Sequence, residues 1–330
     1  MTLSGNPALS KFLETYGIIV VVIVMMLFLY WTKPDVFLSP DNLSNIVKQN
    51  ASAALLALGM FIVIVTAGID LSVGSVMALA MVCLAIADKK LGLPWPLVLL
   101  IGPAIGAVSG WVNGLGLTWL RLPHPFIMTL GTLNIARGLT NLVTNAAPVS
   151  GLQPEVRYAG QRVYDLGIFN PPAGIPASLI MVAVCSIGLW YFLTRTNVGR
   201  HVYAIGGNPQ AARVSGINVD RVLVVVYTIC GFFAGLAGLL LAGRTDSGFP
   251  NAGIGAELDA IAAVIIGGAS FFGGRGNVMG VLAGVLIIGL LRNGLNLNNV
   301  SVFWQQILIG LVIILAVYID VLRRRAAVRS

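Results

Sequence analysis

The stretch VLVVVYTICGFFAGLAGLLLA, residues 222–242, runs for 21 residues without a charged side chain. A helix needs about 20 apolar residues to cross a hydrocarbon core about 30 Å thick, so this stretch reads as a membrane span. Nine more apolar runs flank it, at 16–31, 51–67, 73–87, 97–120, 126–143, 177–194, 258–272, 278–291 and 302–319. The expected architecture is an all-α, polytopic membrane bundle of about ten transmembrane helices. The runs at 73–87 and 258–272 are short for a straight crossing. Short runs predict tilted, broken or partly re-entrant segments, which are tolerated only inside protein or along a cavity. Composition agrees: of 330 residues, 57% are hydrophobic and 10% charged, against roughly 45–50% and about 25% in soluble domains. So few charges cannot cover a water-soluble surface, which excludes an ordinary soluble enzyme.

The first run lacks a small-residue cleavage site and is followed by Lys33, Pro34 and Asp35, so it is read as a retained signal-anchor helix. With the N-terminus placed inside, eleven basic residues fall on the cytoplasmic side: Lys11, Arg121, Arg195, Arg200, Arg213, Arg221, Arg275, Arg323, Arg324, Arg325 and Arg329. Eight fall outside: Lys33, Lys48, Lys89, Lys90, Arg157, Arg162, Arg244 and Arg292. This excess puts both termini in the cytoplasm, with Lys89 and Lys90 running against it. The net charge of +8 thus follows span ends, not one exposed basic face, and no nucleic-acid partner is expected. Cys83, Cys185 and Cys230 all lie in apolar runs without CxxC spacing, which argues against a disulfide framework or thiolate metal site.

The chain is expected to be one permease-like membrane domain, 1–330, with two notable connections. Segment 145–176 reads as an external loop held by Val149, Val156, Tyr158, Val163, Tyr164, Leu166 and Phe169, with Glu155 and Asp165 balancing Arg157 and Arg162. A disordered linker is its alternative. Segment 195–221 is a basic cytoplasmic loop containing Gly207, Asn208, Pro209, Gln210, Ala211, Ala212, Arg213, Ser215 and Gly216. Asn208 can cap a helix with Pro209 at its first position, and Gly216 can end it. A helix of about two turns is unstable alone in water, so it needs a docking surface or a lipid surface to lie on. Ala211 and Ala212 are small enough for a partner groove to close around them.

Inside the spans, Gly102, Gly106, Gly110 and Gly114 repeat every four residues, and Gly231/Gly235 and Gly280/Gly284 repeat the device. Such stripes let helix backbones approach closely, either as plain packing or as a moving seam. Asp70 lies where one run meets the next, with Ser72 a candidate cap for the following helix. Asp70 serves either that helix end or a substrate path. Arg137, Asn134 and Thr129 lie in the fifth run, and Asn293 in or near the ninth. Asn134 and Arg137, three residues apart, share a helix face. An Arg at a helix centre costs about 2.5–3.5 kcal/mol on insertion scales, so Arg137 should face the interior or water, or snorkel outward. It serves a path or pins neighbouring carbonyls. Thr129, Asn134, Arg137, Asp70 and Asn293 are the path candidates.

Neither GxxxxGK[ST] nor GxGxxG occurs, and with only His124 and His201 there is no HExxH, so no catalytic, metal or cofactor-binding site is expected on this chain. Five segments decide the family resemblance: GIDLSVGS at 68–75, HPFIMTLG at 124–131, GRHVYAIGGNPQAARVSGI at 199–217, ELDAIAAVIIGG at 257–268, and GGRG at 273–276. Across nearly the whole chain it resembles the permease subunit of bacterial ABC importers for monosaccharides, the family of ribose, allose and related sugar permeases. The resemblance implies an inner-membrane permease for a ribose- or allose-like sugar, with a polyol such as inositol also open. It implies a second permease copy, a cytoplasmic ABC ATPase subunit carrying ATP and Mg, and a periplasmic sugar-binding protein. It identifies residues 208–216 as the coupling helix that docks in the ATPase. Gln210 stands where other importer classes carry an acidic residue before the Ala pair. The competing readings are an ATPase-independent secondary transporter or facilitator, and a membrane-embedded enzyme; neither needs this loop.

Overall fold

A computed structural model describes residues 7–161, 163–164 and 174–329. Arg162, Asp165, Leu166 and Phe169 lie outside them. In chain order the helices are α1 (Pro7–Thr32), α2 (Pro34–Phe37), α3 (Pro40–Val65), α4 (Val73–Lys89), α5 (Trp95–Trp119), α6 (Pro125–Thr144), α7 (Pro154–Gln161), α8 (Ala177–Arg195), α9 (Asn197–Gly207), α10 (Pro209–Val214), α11 (Val219–Thr245), α12 (Ala256–Ile266), α13 (Val278–Leu297) and α14 (Val302–Arg329). Four two-residue strands, β1 (Val149–Ser150), β2 (Val163–Tyr164), β3 (Ile175–Pro176) and β4 (Ser247–Gly248), pair antiparallel as β1 with β4 and β2 with β3. Five helices, α3, α5, α8, α11 and α13, are long and apolar enough to cross a membrane by length and composition. The chain is an all-α, multi-pass membrane bundle.

The core lies where α3, α4, α5 and α11 meet. From Leu55 to Val65 every residue of α3 is buried, as expected of a helix that is apolar on all sides. The glycine stripes decide how close its neighbours come. A methyl group at Gly106 would overlap the carbonyl oxygen of Gly231, one at Gly110 that of Tyr227, and one at Gly235 that of Gly102. The α5 stripe and the α11 pair are therefore two sides of one antiparallel seam, in backbone-to-backbone contact. Gly280 and Gly284 of α13 meet α12 in the same way, over the carbonyls of Gly267 and Ala263.

Helix ends follow local chemistry. Ser39 caps α3 by accepting from the Asn42 N–H (3.3 Å), and Asn277 caps α13 through the Gly280 N–H (2.7 Å). Ser72 departs from expectation: it precedes α4 but makes no capping bond with its side chain. Its hydroxyl instead donates to Asp70, and its N–H does too (2.6 and 2.9 Å), so Asp70 supplies the acceptor. The bond from Ser72's own N–H closes a turn just before α4 and leaves that helix without a side-chain cap.

The two short runs become short helices, α4 of 17 residues and α12 of 11. The connection from α11 to α12 explains the second. A Cβ at Gly248 would stand 2.7 Å from Ala85 and 2.8 Å from the Met81 carbonyl, and one at Gly253 would stand 2.5 Å from the Gly74 carbonyl. Between Gly248 and Gly253 the chain thus runs back along α4 toward its N-terminal turn. Residues 250–255 of this stretch are turns, with the Ala252 N–H donating to the Phe249 carbonyl and the Ala256 N–H to that of Gly253 (3.2 and 3.1 Å). α12 starts at the end of this re-entrant segment.

The described part of the connection between α6 and α8, residues 149–161, is anchored on the bundle. Leu152 and Val156 are buried, the Gln153 N–H donates to Asp88 (2.9 Å), and the Leu152 N–H donates to Asp246 (2.7 Å). Gly160 of α7 lies directly on the backbone of α11 at Leu240 and Arg244.

Candidate functional site

Two groups of the expected residues occupy different levels of the bundle. In the loop after α8, Thr196 caps α9 by accepting from the Gly199 N–H (3.0 Å), and Asn208 caps α10 by accepting from the N–H groups of Gln210 and Ala211 (3.0 Å each). Pro209 occupies the first position of α10, and Gly216, at φ +84°, closes it in the left-handed region. Only Ala212 of α10 is buried. Gly207, Asn208, Pro209, Gln210, Ala211, Arg213, Ser215 and Gly216 are exposed, and Val214 is 91% exposed. Val214 was not among the residues picked out from the sequence. Its position at the end of a short helix whose one buried contact is Ala212 was the available signal.

While α10 stands clear, α9 is clamped to the bundle. Val202, Ile205 and Gly206 are buried. A Cβ at Gly206 would overlap the Val65 carbonyl at the end of α3, and that same carbonyl accepts from the Gly274 N–H (2.9 Å). The Tyr203 hydroxyl donates to the Gly276 carbonyl (3.0 Å). Burial pushes its phenol above the ordinary tyrosine range, so it remains a proton donor throughout the neutral pH range. The glycine-rich segment 267–276 is thus a close-packed floor under α9 and not a phosphate cradle.

Val65 leads in five residues to Asp70, and here the second group begins. Asp70 is 1% exposed; besides Ser72 it accepts from the Asn113 amide (3.4 Å), which also donates to Ser72 (2.9 Å). Thr132 donates to the Asn113 carbonyl oxygen, and the Leu71 N–H donates to Thr129 (3.2 Å). Tyr227 of α11 reaches the Ile69 carbonyl (3.4 Å). The break between α3 and α4 is therefore tied to α5, α6 and α11 by one buried polar network, whose acceptors and donors satisfy each other.

The remaining candidates lie elsewhere. Arg137 donates to the carbonyls of Pro250 and Ala252 (2.9 Å to the latter), pinning the re-entrant segment. Asn134 is exposed, bonded only within its own helix to the Leu130 carbonyl (3.0 Å). Asn293 exchanges amide hydrogen bonds with Asn42 (2.8 and 3.3 Å), joining α13 to α3, one position after the Arg292–Asp259 ion pair (2.7 Å). The five path candidates are thus distributed over a break network, a re-entrant clamp, an open helix face and a helix–helix clasp. Among the described residues, no group of three His, Cys, Asp or Glu is placed to hold a metal ion.

Comparison with known proteins now decides the family. Residues 42–317 match the family model described as branched-chain amino acid transport system / permease component. The chain belongs to this permease family. Within it, the chain is similar to ribose import permease protein RbsC of Bacillus subtilis (strain 168), 43% identical over 319 residues, covering 97% of this chain and 94% of that one. RbsC of Escherichia coli (strain K12) is 39% identical over 327 residues, with 97% and 98% covered. Xylose transport system permease protein XylH of the same strain is 35% identical over 375 residues, with 98% and 95% covered. No solved structure matches the chain. The protein is a monosaccharide ABC permease, a transport subunit and not an enzyme.

Proposed function

We propose that this permease carries a pentose such as ribose into a bacterial cell, driven by an ATPase on a separate chain. The names of the similar proteins, ribose import and xylose transport permeases, support a pentose ahead of allose or inositol. The observation that carries the energetic part is α10, a doubly capped helix with Ala212 as its one buried residue, tied to α11 by the exposed Arg213–Asp220 ion pair (3.2 Å), ending in an exposed Val214 and mounted on a clamped α9. A facilitator has no use for such a protruding helix. As the coupling helix, α10 offers Ala211 and Val214 to a cleft of a cytoplasmic ABC ATPase, which binds ATP and Mg. Closure of that partner favours one orientation of the bundle and hydrolysis releases it, so access shifts by differential contact with two states.

In this reading the ten apolar runs all span or enter the inner membrane, both termini are cytoplasmic, and a periplasmic sugar-binding protein delivers the sugar to the outer face. A second copy of the permease completes the path. On α6 the positions Gly131, Asn134, Gly138 and Asn141 recur every three to four residues, interleaved with the exposed Ile127, Ile135 and Leu142. Among the described residues, a Cβ at Gly131 or Gly138 would meet nothing within 4 Å, and Asn134 is exposed. Small and amide side chains on one face of a membrane helix suit another helix or water, and not lipid. The test is uptake of D-ribose into proteoliposomes holding the permease, its ATPase and its binding protein. Uptake that needs all three and ATP supports the reading; equal uptake by the permease alone refutes it.

A further inference from the structure

Non-helical backbone does not survive against lipid within the hydrocarbon region, because its N–H and C=O groups find no partners there. Segment 249–255 is such backbone. It runs along α4 down to Gly74, and Arg137 pins it at the Pro250 and Ala252 carbonyls. Arg137 stands twelve residues after Pro125, about 18 Å along α6 at ~1.5 Å per residue. That is near the middle of a core about 30 Å thick. Yet this segment is not covered by its own chain: Asn251 is exposed, and Ile254 is 71% exposed. The Glu257 carboxylate lies against Gly74, within Coulombic reach of Arg137, and is only half-buried. Asn134, exposed on α6 among the apolar Leu130 and Ile135, stands three residues from Arg137. By contrast, the exposed residues Ile180, Val184 and Ile187 of α8 form an apolar stripe suited to lipid.

Resting on the permease reading above, we propose that the re-entrant segment 249–255 lines an aqueous path at mid-membrane, where Asn251 and Glu257 hydrogen-bond the hydroxyls of a neutral sugar in transit. Arg137 is the positioning residue that holds the segment in place. An amide and a carboxylate offer both donors and acceptors, which is the chemistry a polyhydroxylated, uncharged solute needs. No charge on the sugar has to be neutralised, since Arg137 and Glu257 lie within Coulombic reach of each other.

The test uses the assembled transporter in proteoliposomes. Asn251→Cys is expected to react with a charged, water-soluble thiosulfonate at least tenfold faster than Val184→Cys on the lipid stripe. Asn251→Ala and Glu257→Gln are each expected to lower D-ribose transported per ATP hydrolysed at least fivefold, with Asn251→Gln recovering part of it. Reaction of Asn251→Cys no faster than that of Val184→Cys overturns the proposal. So do unchanged sugar-to-ATP ratios in both variants. Failure of the permease reading is separate, since it appears as ATP-independent uptake by the unmodified protein, whatever the labelling rates.

Discussion

At Asp70 a single carboxylate holds the end of α3 to the start of α4, and both of its oxygens are occupied by Ser72 and Asn113. Removing it leaves two donors buried without partners, at about 1–3 kcal/mol each. Asp70→Ala is therefore expected to destabilise the permease by about 2–4 kcal/mol, seen as a lower thermal midpoint in detergent. Asp70→Asn, which keeps the shape, should lose less than half of that. The position of Asp70 at a break was legible in the sequence, since Gly68 and Gly74 bracket it. That Ser72 makes no side-chain cap was not, because its hydroxyl is engaged by Asp70 and by Asn113, forty-one residues away. Arg137 teaches the same lesson: its insertion cost was readable from one helix, but its acceptors are two carbonyls more than a hundred residues on. Long-range partners leave no local periodicity behind.

Among elements, the α5–α11 seam is the most constrained contact. Gly106→Ala would drive a methyl into the Gly231 carbonyl, where only backbone is available to yield. It is expected to lower the folded yield severalfold in size-exclusion chromatography, while Gly188→Ala, facing open space on α8, leaves it unchanged or raised. The stripe itself was plain in the sequence, since spacing of four marks a helix face. Which helix it meets was not. The α9–α10 bracket behaved similarly: Asn208, Pro209 and Gly216 announced the start and stop of α10, because caps depend on neighbours a few residues away. The clamp of Gly206 on Val65, which connects this bracket to the break network, joins α9 to α3 and so was silent in the sequence. Gly206→Ala would likewise drive a methyl into backbone, at the Val65 carbonyl, and is expected to lower the folded yield as Gly106→Ala does. An unchanged yield in size-exclusion chromatography would show that α9 is not clamped there.

For the molecule as a whole, the paucity of charge places the chain in lipid, and the arrangement of its few polar groups divides it into levels. A protruding helix stands at one end, a buried network ties the α3–α4 break to α5, α6 and α11, and the segment 249–255 runs back along α4. Close backbone seams join α5 to α11 and α12 to α13, and α9, which carries α10, is clamped to the end of α3 at Val65. Ala211→Arg tests the role of α10 without disturbing the fold, since Ala211 is exposed. The central claim is that this chain moves sugar only when another chain drives α10. The most direct measurement is D-ribose uptake by proteoliposomes containing the ATPase, the binding protein and either wild-type or Ala211→Arg permease, alongside vesicles with wild-type permease alone. The account predicts ATP-dependent uptake for the wild-type assembly, a loss of at least tenfold for Ala211→Arg at the same thermal midpoint, and none above empty vesicles for the permease alone. Full uptake by Ala211→Arg, or by the permease without its ATPase, would contradict it.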